Sequence, residues 1–268
     1  DGKELWAADM VGNAVVYALD TDAEGTLYAA GNFMDKVEYT GADGVKAEMT
    51  GSTDAYTAFI AKISADGKFQ QVKTLASTAN ETVAASMMYF PMTGDMYVTP
   101  RKIQVEGDRI YVSVNYAGDV AELSWKGSYI NVFDFMYMDN KNVGLFSMNK
   151  ADFSEAKSIA TVQNTETVSY NQYYAEAFDF TVENGTVYAG FIGFGNLTMQ
   201  ANGATNDFKF NVAEDESGNK EHAFVLATIG ESVTTKVYHA ANHDKDAKPY
   251  NLFMNVDGDN LFIGGTFY

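Results

Sequence analysis

No cysteine occurs in this chain, which removes disulfides, thiol nucleophiles and cysteine-ligated zinc from consideration and suits an oxidising compartment. Positive charge is scarce: 18 Lys and Arg stand against 36 Asp and Glu, a net −18. Such a field repels phosphate backbones and anionic lipid, so neither nucleic acid nor a membrane surface is expected as a partner; the charge serves solubility. Apolar runs never approach the roughly 18 residues a membrane span needs. Histidines number three, too few for a rich catalytic site. No GxSxG, P-loop or dinucleotide fingerprint is present. The first residue is Asp1 rather than Met, which leads us to expect a processed chain from which an export signal has been removed, or a fragment.

What is present is a core and a repeat. Apolar residues make up 46% of the 268 positions, a globular value that argues against wholesale disorder. The stretch Thr26-Leu27-Tyr28-Ala29-Ala30 returns as Arg109-Ile110-Tyr111-Val112-Ser113, as Thr186-Val187-Tyr188-Ala189-Gly190 and as Asn260-Leu261-Phe262-Ile263-Gly264. Its aromatics are 83, 77 and 74 residues apart, the signature of one supersecondary unit in series. Each unit begins with an apolar strand and a Gly/Asp/Glu turn: Asp22–Gly25, Glu106–Asp108, Glu183–Gly185 and Asp257–Asp259. Third and fourth strands follow at Ala58–Ile63 and Phe69–Leu75, at Val143–Met148 and Ala156–Val162, and at Ala223–Ile229 and Thr234–His239.

Four-stranded antiparallel units in series with almost no helix signal predict an all-β chain, a β-propeller of about four blades or an arc of a larger ring. An extended sandwich or β-solenoid is the alternative. The small residue two places after each aromatic (Ala30, Ser113, Gly190, Gly264) fits strands that crowd near an axis. One domain, 1–268, is expected, with units at about 14–75, 102–162, 177–239 and 251–268. Lys3–Met10 resembles a fourth strand that could close the last unit.

The residues Gly31-Asn32-Phe33, a Gly-bounded insert, Asp54-Ala55 and Ala58-Phe59-Ile60-Ala61-Lys62-Ile63-Ser64-Ala65-Asp66-Gly67-Lys68 resemble the SBBP-type bacterial β-propeller repeat. Proteins with that repeat are exported or surface proteins, lipoproteins among them, many from Bacteroidota. The resemblance implies a propeller and an extracytoplasmic address: cell surface, periplasm or secreted. It implies no catalytic residue. The third unit departs from the pattern with Ala223-Phe224-Val225-Leu226-Ala227-Thr228, and the second keeps little beyond hydrophobicity.

Function is expected on one side of the units. In a meander, the turns joining first to second and third to fourth strands share one side, and these are short. The other connections, about 34–56, 76–101, 117–142, 163–176, 192–221 and 240–249, are long, and long loops on a rigid scaffold are where binding resides. They are rich in aromatics. Tyr89, Phe90, Trp125, Tyr129, Tyr170, Tyr173 and Tyr174 are the candidate ligand-binding residues, either stacking on sugar rings or forming a protein interface. The alternative is that these side chains fold back as a satellite core.

No cofactor is expected. His239 and His243, with Asp244 and Asp246, are the nearest approach to a metal site, but the spacing needs a helix that the sequence does not offer. Asp20–Gly25 imitates a calcium loop without the acid at the twelfth position, where Gly31 stands; a Gly/Asp turn explains it. Asp119, Glu122, Asp134, Asp139, Glu166, Glu176 and Asp207 are each eligible for a glycosidase-type pair, and none is singled out. The leading expectation is a non-catalytic exported binding protein for a glycan or protein partner. The alternatives are a glycan-active hydrolase or lyase, and a structural subunit of a cell-surface complex.

Overall fold

Alternating apolar residues between turns that tolerate positive φ fold here as antiparallel strands. The structure is a computed structural model that describes residues 5–78, 96–127, 142–164, 174–194, 196–209, 223–239 and 249–267. The first unit comprises β1 (Asp9–Thr21), β2 (Leu27–Thr40), β3 (Lys46–Thr50), β4 (Ala55–Ile63) and β5 (Phe69–Leu75), paired β1-β2-β4-β5, with β3 on the far half of β2. The second is the meander β6 (Met96–Glu106), β7 (Arg109–Ala117), β8 (Asn142–Asn149) and β9 (Lys157–Asn164). In the third, β10 (Tyr174–Glu183) and β11 (Thr186–Phe194) are followed by a hairpin, β12 (Asn196–Ala201) and β13 (Ala204–Lys209), before β14 (Ala223–Ile229) and β15 (Val233–His239) complete the order β10-β11-β14-β15. The fourth shows β16 (Pro249–Asp257) and β17 (Asn260–Phe267). The all-β expectation holds: the first three units each carry a four-stranded antiparallel meander of propeller-blade type, and the fourth shows two strands among the described residues. Among the described residues their sheets do not close into a ring.

The first strands neighbour one another in the order β1, β6, β10, β16, and the units stack face to face. One apolar cluster joins Tyr28, Ala30 and Ile60 of the first unit to Ile103, Ile110, Val112 and Phe146 of the second. Another joins Tyr111, Leu145 and Val162 to Phe180, Val182, Phe191 and Val225 of the third. The repeated aromatic and the small residue after it therefore face the following unit. At Gly190 the approach is so close that a Cβ would lie 2.6 Å from the Met254 sulfur and 3.0 Å from Leu252 of the fourth unit.

A first strand has a free inner edge over most of its length (β6 meets β4 in parallel only at Met96 and Tyr97), so its outward N–H groups need partners from elsewhere. The preceding unit supplies them. Val105 N donates to Asp20 Oδ2 at 2.7 Å, Val182 N to Gln104 Oε1 at 3.1 Å, and Asn184 N to Glu106 Oε1 at 3.2 Å. Met254 N donates to Asp179 Oδ2 at 2.6 Å and Gly258 N to Glu183 Oε1 at 3.2 Å. Lys102 ties three units together: its Nζ donates to Asp179 Oδ2 (3.2 Å), to the Phe180 carbonyl (2.6 Å) and to the Met254 carbonyl (3.2 Å).

Two stretches read as loops in the sequence are strands. β3 forms within 34–56 by pairing Lys46–Thr50 with Lys36–Thr40. β12 and β13 form within 192–221, joined by Asn202 and Gly203 with φ of 45° and 75°, the geometry of a type I′ turn. The hairpin does not pair with its own unit: β12 binds β9 and extends the second sheet. The physical reason is that β9 is an open edge, and Leu197, Met199 and Ala201 bury one face of the hairpin in the cluster between the second and third units. Trp6 lies outside any strand and donates from its indole nitrogen to the Ala65 carbonyl at 3.0 Å, while Asp9 and Met10 open β1 opposite Thr40 and Tyr39. Among the described residues no helix is long and apolar enough to cross a membrane.

The Lys102 contacts lead to a measurable expectation. Lys102→Met leaves the Asp179 carboxylate, 10% exposed, without its cation, and should cost about 3 kcal/mol. Lys36→Met, which breaks an exposed pair with Glu48, should cost under about 1 kcal/mol. Urea unfolding of both variants reads the difference, and equal losses would remove Lys102 from its organising role.

Candidate functional site

The long connection after β7 begins at Gly118 (φ 83°) and folds into a compact loop through Gly127. Asp119 bridges Thr78 by two backbone bonds of 2.9 and 2.8 Å, and Val120 bridges Trp125 across a short 3-10 turn, Ala121–Leu123. Trp125 is buried. Its ring stacks on Tyr116 with centroids 5.0 Å apart, meets the edge of Phe146, and lies where a side chain at residue 144 would be, so Gly144 is needed beneath it. Its Nε1 donates to Ser158 Oγ at 2.7 Å. The tryptophan offered by the sequence as a ligand platform is thus mostly a packing residue.

One margin of it still borders open space. A cleft of about 400 Å³ lies between the 123–125 segment and the hairpin β12–β13, lined by Leu123, Trp125, Ser158, Thr161, Gln200 and Thr205 among others. Strand alternation makes its floor polar. Thr161 is opposite Gln200, Gln163 is opposite Thr198, and Thr205 is opposite Gln200, so hydroxyls and amides share one face while Val162, Met199 and Ala201 take the other. The hairpin tip is anchored: Asn202 Nδ2 donates to the Gly230 carbonyl at 2.7 Å.

The stems of three long connections meet beside this floor. Thr78, which leads into 79–95, is bridged to Asp119. Lys126, which leads into 128–141, pairs with Asp119 through its ammonium. Gln163, just before 165–173, donates to the Lys126 carbonyl and to the Tyr116 hydroxyl, the latter at 2.7 Å. Burial pushes the Tyr116 hydroxyl above the usual phenol range, partly offset by that Gln163 bond, so it stays neutral and accepts from Gln163. Tyr89, Phe90, Tyr129, Tyr170 and Tyr173 belong to these connections and lie outside the described residues; Tyr174 opens β10 opposite Phe194. The fold brings together the roots of the segments that carry them.

The remaining candidates are dispersed. Asp119 is paired with Lys126, Glu122 Oε1 is 2.6 Å from Lys73 Nζ, and Asp207 accepts from Thr198 Oγ1 at 2.6 Å. Asp134, Asp139, Glu166, His243, Asp244 and Asp246 lie outside the described residues, and Glu176 and His239 are placed in β10 and β15. Among the described residues, no group of three potential metal ligands is found. Sequence reading missed Gln200 and Thr205. The signal was Asn202-Gly203 between two alternating runs, Leu197–Ala201 and Ala204–Phe208, a strong hairpin pattern.

The calcium-like stretch is a capped turn. Asp22 Oδ1 accepts from Thr26 N at 2.8 Å and Glu24 N at 3.2 Å, and Oδ2 accepts from the Tyr28 hydroxyl at 3.2 Å with Lys150 Nζ 3.7 Å away. Burial opposes the charged form, but the Thr26 amide, the Tyr28 hydroxyl and Lys150 outweigh it and hold the carboxyl below its ordinary 3.8.

No family model matches the chain, and no curated protein sequence matches it. Among solved structures it is similar to virginiamycin B lyase from Staphylococcus aureus, at 8% identity over 97% of this chain and 96% of that one, with a TM-score of 0.24. A periplasmic gluconolactonase from Pseudomonas aeruginosa is similar at 8% identity over 84% and 88% of the two chains, with a TM-score of 0.26. A streptogramin B lyase is similar at 9% identity over 93% of each chain, with a TM-score of 0.21. Likeness at this level says nothing of this chain's chemistry.

Two outcomes are expected. Trp125→Ala should destabilise the fold by about 3–5 kcal/mol; an unchanged melting temperature would mean that the ring is not packed as described. A carboxyl with a depressed folded pKa stabilises above its unfolded value and loses that contribution as pH falls through the folded one. The stability gap between wild type and Asp22→Asn should therefore be largest near neutrality and shrink below about pH 4, read by urea unfolding at both pH values.

Proposed function

We propose that this protein is a non-catalytic, exported binding module that takes a neutral glycan in the cleft between the 123–125 segment and the β12–β13 hairpin. The observation that carries the reading is the floor. Thr161, Gln200 and Thr205 present uncharged hydroxyl and amide groups from adjacent strands, and an edge of Trp125 borders them. Sugars offer a row of hydroxyls with apolar ring faces, which such a floor and wall complement. Tyr89, Phe90, Tyr129, Tyr170 and Tyr173, on connections rooted at the end of this floor, are assigned to flanking contacts with a longer chain. Tyr174 is assigned with them by its place at the start of β10.

The extracytoplasmic address rests on the SBBP-like repeat and fits the lack of cysteine. A net charge of −18 favours an uncharged ligand over an anionic one.

The test is calorimetric titration with a panel of soluble neutral polysaccharides. Gln200→Ala combined with Thr205→Ala, both on exposed positions, should weaken binding about tenfold, the worth of one or two hydrogen bonds, with melting unchanged. Full affinity in that variant, or no binding across the panel, overturns the reading. Release of new reducing ends during the titration would instead establish the hydrolase alternative.

A further inference from the structure

The repeat places a bulge at the same point of the first strand in three consecutive units. β1, β6 and β10 slip register between Val16 and Ala18, between Pro100 and Lys102, and between Glu176 and Asp179. In each case the strand rejoins its ladder opposite the small residue that follows the repeated aromatic: Ala30, Ser113 and Gly190. The residue just before that point is Tyr17 in the first unit, Arg101 in the second and Phe178 in the third. A bulge re-aims such a side chain away from the regular pleat. Phe178 packs against the apolar cluster of its unit. Only the second unit puts a charge at this position.

Arg101 is held in place. Its Nε donates to Asn115 Oδ1 at 2.7 Å, and Asn115 is 7% exposed. The guanidinium carbon lies 5.9 Å from the centroid of the Tyr17 ring, within cation–π range. The anchor sits among buried polar side chains: Thr99 is opposite Asn115, and its hydroxyl accepts from Asn32 Nδ2 at 2.9 Å. Arg101 itself is exposed. Acids outnumber bases two to one in the chain, yet among the described residues no carboxylate pairs with Arg101. The other arginine, Arg109, has Glu155 at 3.8 Å. With Nε committed to Asn115, the two Nη groups have no partner among the described residues.

We propose that Arg101 is the carboxylate-binding group of a second ligand site, one that takes a small monocarboxylate. A planar guanidinium with both Nη donors open matches the two oxygens of a carboxylate as a fork. The Asn115 bond and the Tyr17 ring fix its plane in advance, so little rotamer freedom is left to lose on binding. The charge of the chain then selects among anions. At −18, every negative charge on a ligand is opposed at long range. One carboxylate on an otherwise neutral body is therefore favoured over a phosphate or a polyacidic chain. The site shares no residue with the cleft beside Trp125, and it stands whether or not that cleft takes a glycan.

Saturation-transfer NMR on the 268-residue chain tests this with benzoate and glucuronate, with benzyl alcohol as the uncharged control and inorganic phosphate as a competitor. One or both acids should bind with a dissociation constant of about 1–10 mM, the range of a single charge-assisted contact. Benzyl alcohol should give no signal, and phosphate at equal concentration should not displace the acid. Arg101→Gln should abolish the acid signal. Arg101→Lys, which keeps the charge and loses the fork, should weaken binding at least about fivefold. Both variants should melt as wild type does, because the side chain is exposed. Silence from both acids up to about 20 mM, equal binding by Arg101→Gln, full affinity in Arg101→Lys, or displacement by phosphate would each overturn the proposal.

Discussion

An innermost strand has a free edge, and the organisation of this protein turns on how that edge is satisfied. β10 and β16 end their own sheets, and β6 pairs with β4 only at Met96 and Tyr97, so backbone N–H groups along or just after these strands find acceptors outside them. The acceptors are side chains of the preceding unit: Asp20 for Val105, Gln104 for Val182, Glu106 for Asn184, Asp179 for Met254 and Glu183 for Gly258. Apart from the short parallel contact of β4 with β6 and the pairing of β12 with β9, consecutive units are joined by side chains rather than by backbone, and they meet face to face. The apolar clusters between units follow from that spacing, with the repeated aromatic filling the gap and a small residue admitting the neighbour.

Because the inner edges are committed in this way, additions to the fold gather at the outer edges and on the long-connection side. The β12–β13 hairpin is an insertion of the third unit that completes its backbone bonding on β9 of the second. It locks two units together and places Gln200 and Thr205 opposite the Trp125 loop. The cleft is thus a product of two units and would not exist on either alone. Asp119 links the root of one long connection to the exit of another, which fixes where the aromatic-rich segments depart without fixing what they do.

The repeat could be read from Tyr28, Tyr111, Tyr188 and Phe262 because packing against a neighbour imposes the same residue type at the same position in every unit. Strand order followed from alternation and from Gly/Asp turns, whose positive φ is a local requirement. Trp125 was legible as important, but the choice between ligand contact and core was not: exposure is not a local property, and its burial depends on Tyr116, Phe146 and Gly144 arriving from other strands. The hairpin at Asn202-Gly203 was legible too, but its partner was not, since nothing in Leu197–Ala201 names β9 as the edge it joins.

The sequence by itself therefore determined the all-β class, the serial units and the turns, all of which rest on periodicity and backbone sterics over a few residues. Tertiary structure alone decided which edge the inserted hairpin takes and which aromatics are core. Those outcomes depend on competition among distant surfaces for the same apolar contacts and the same unpaired backbone groups, and no window of neighbouring residues contains that competition.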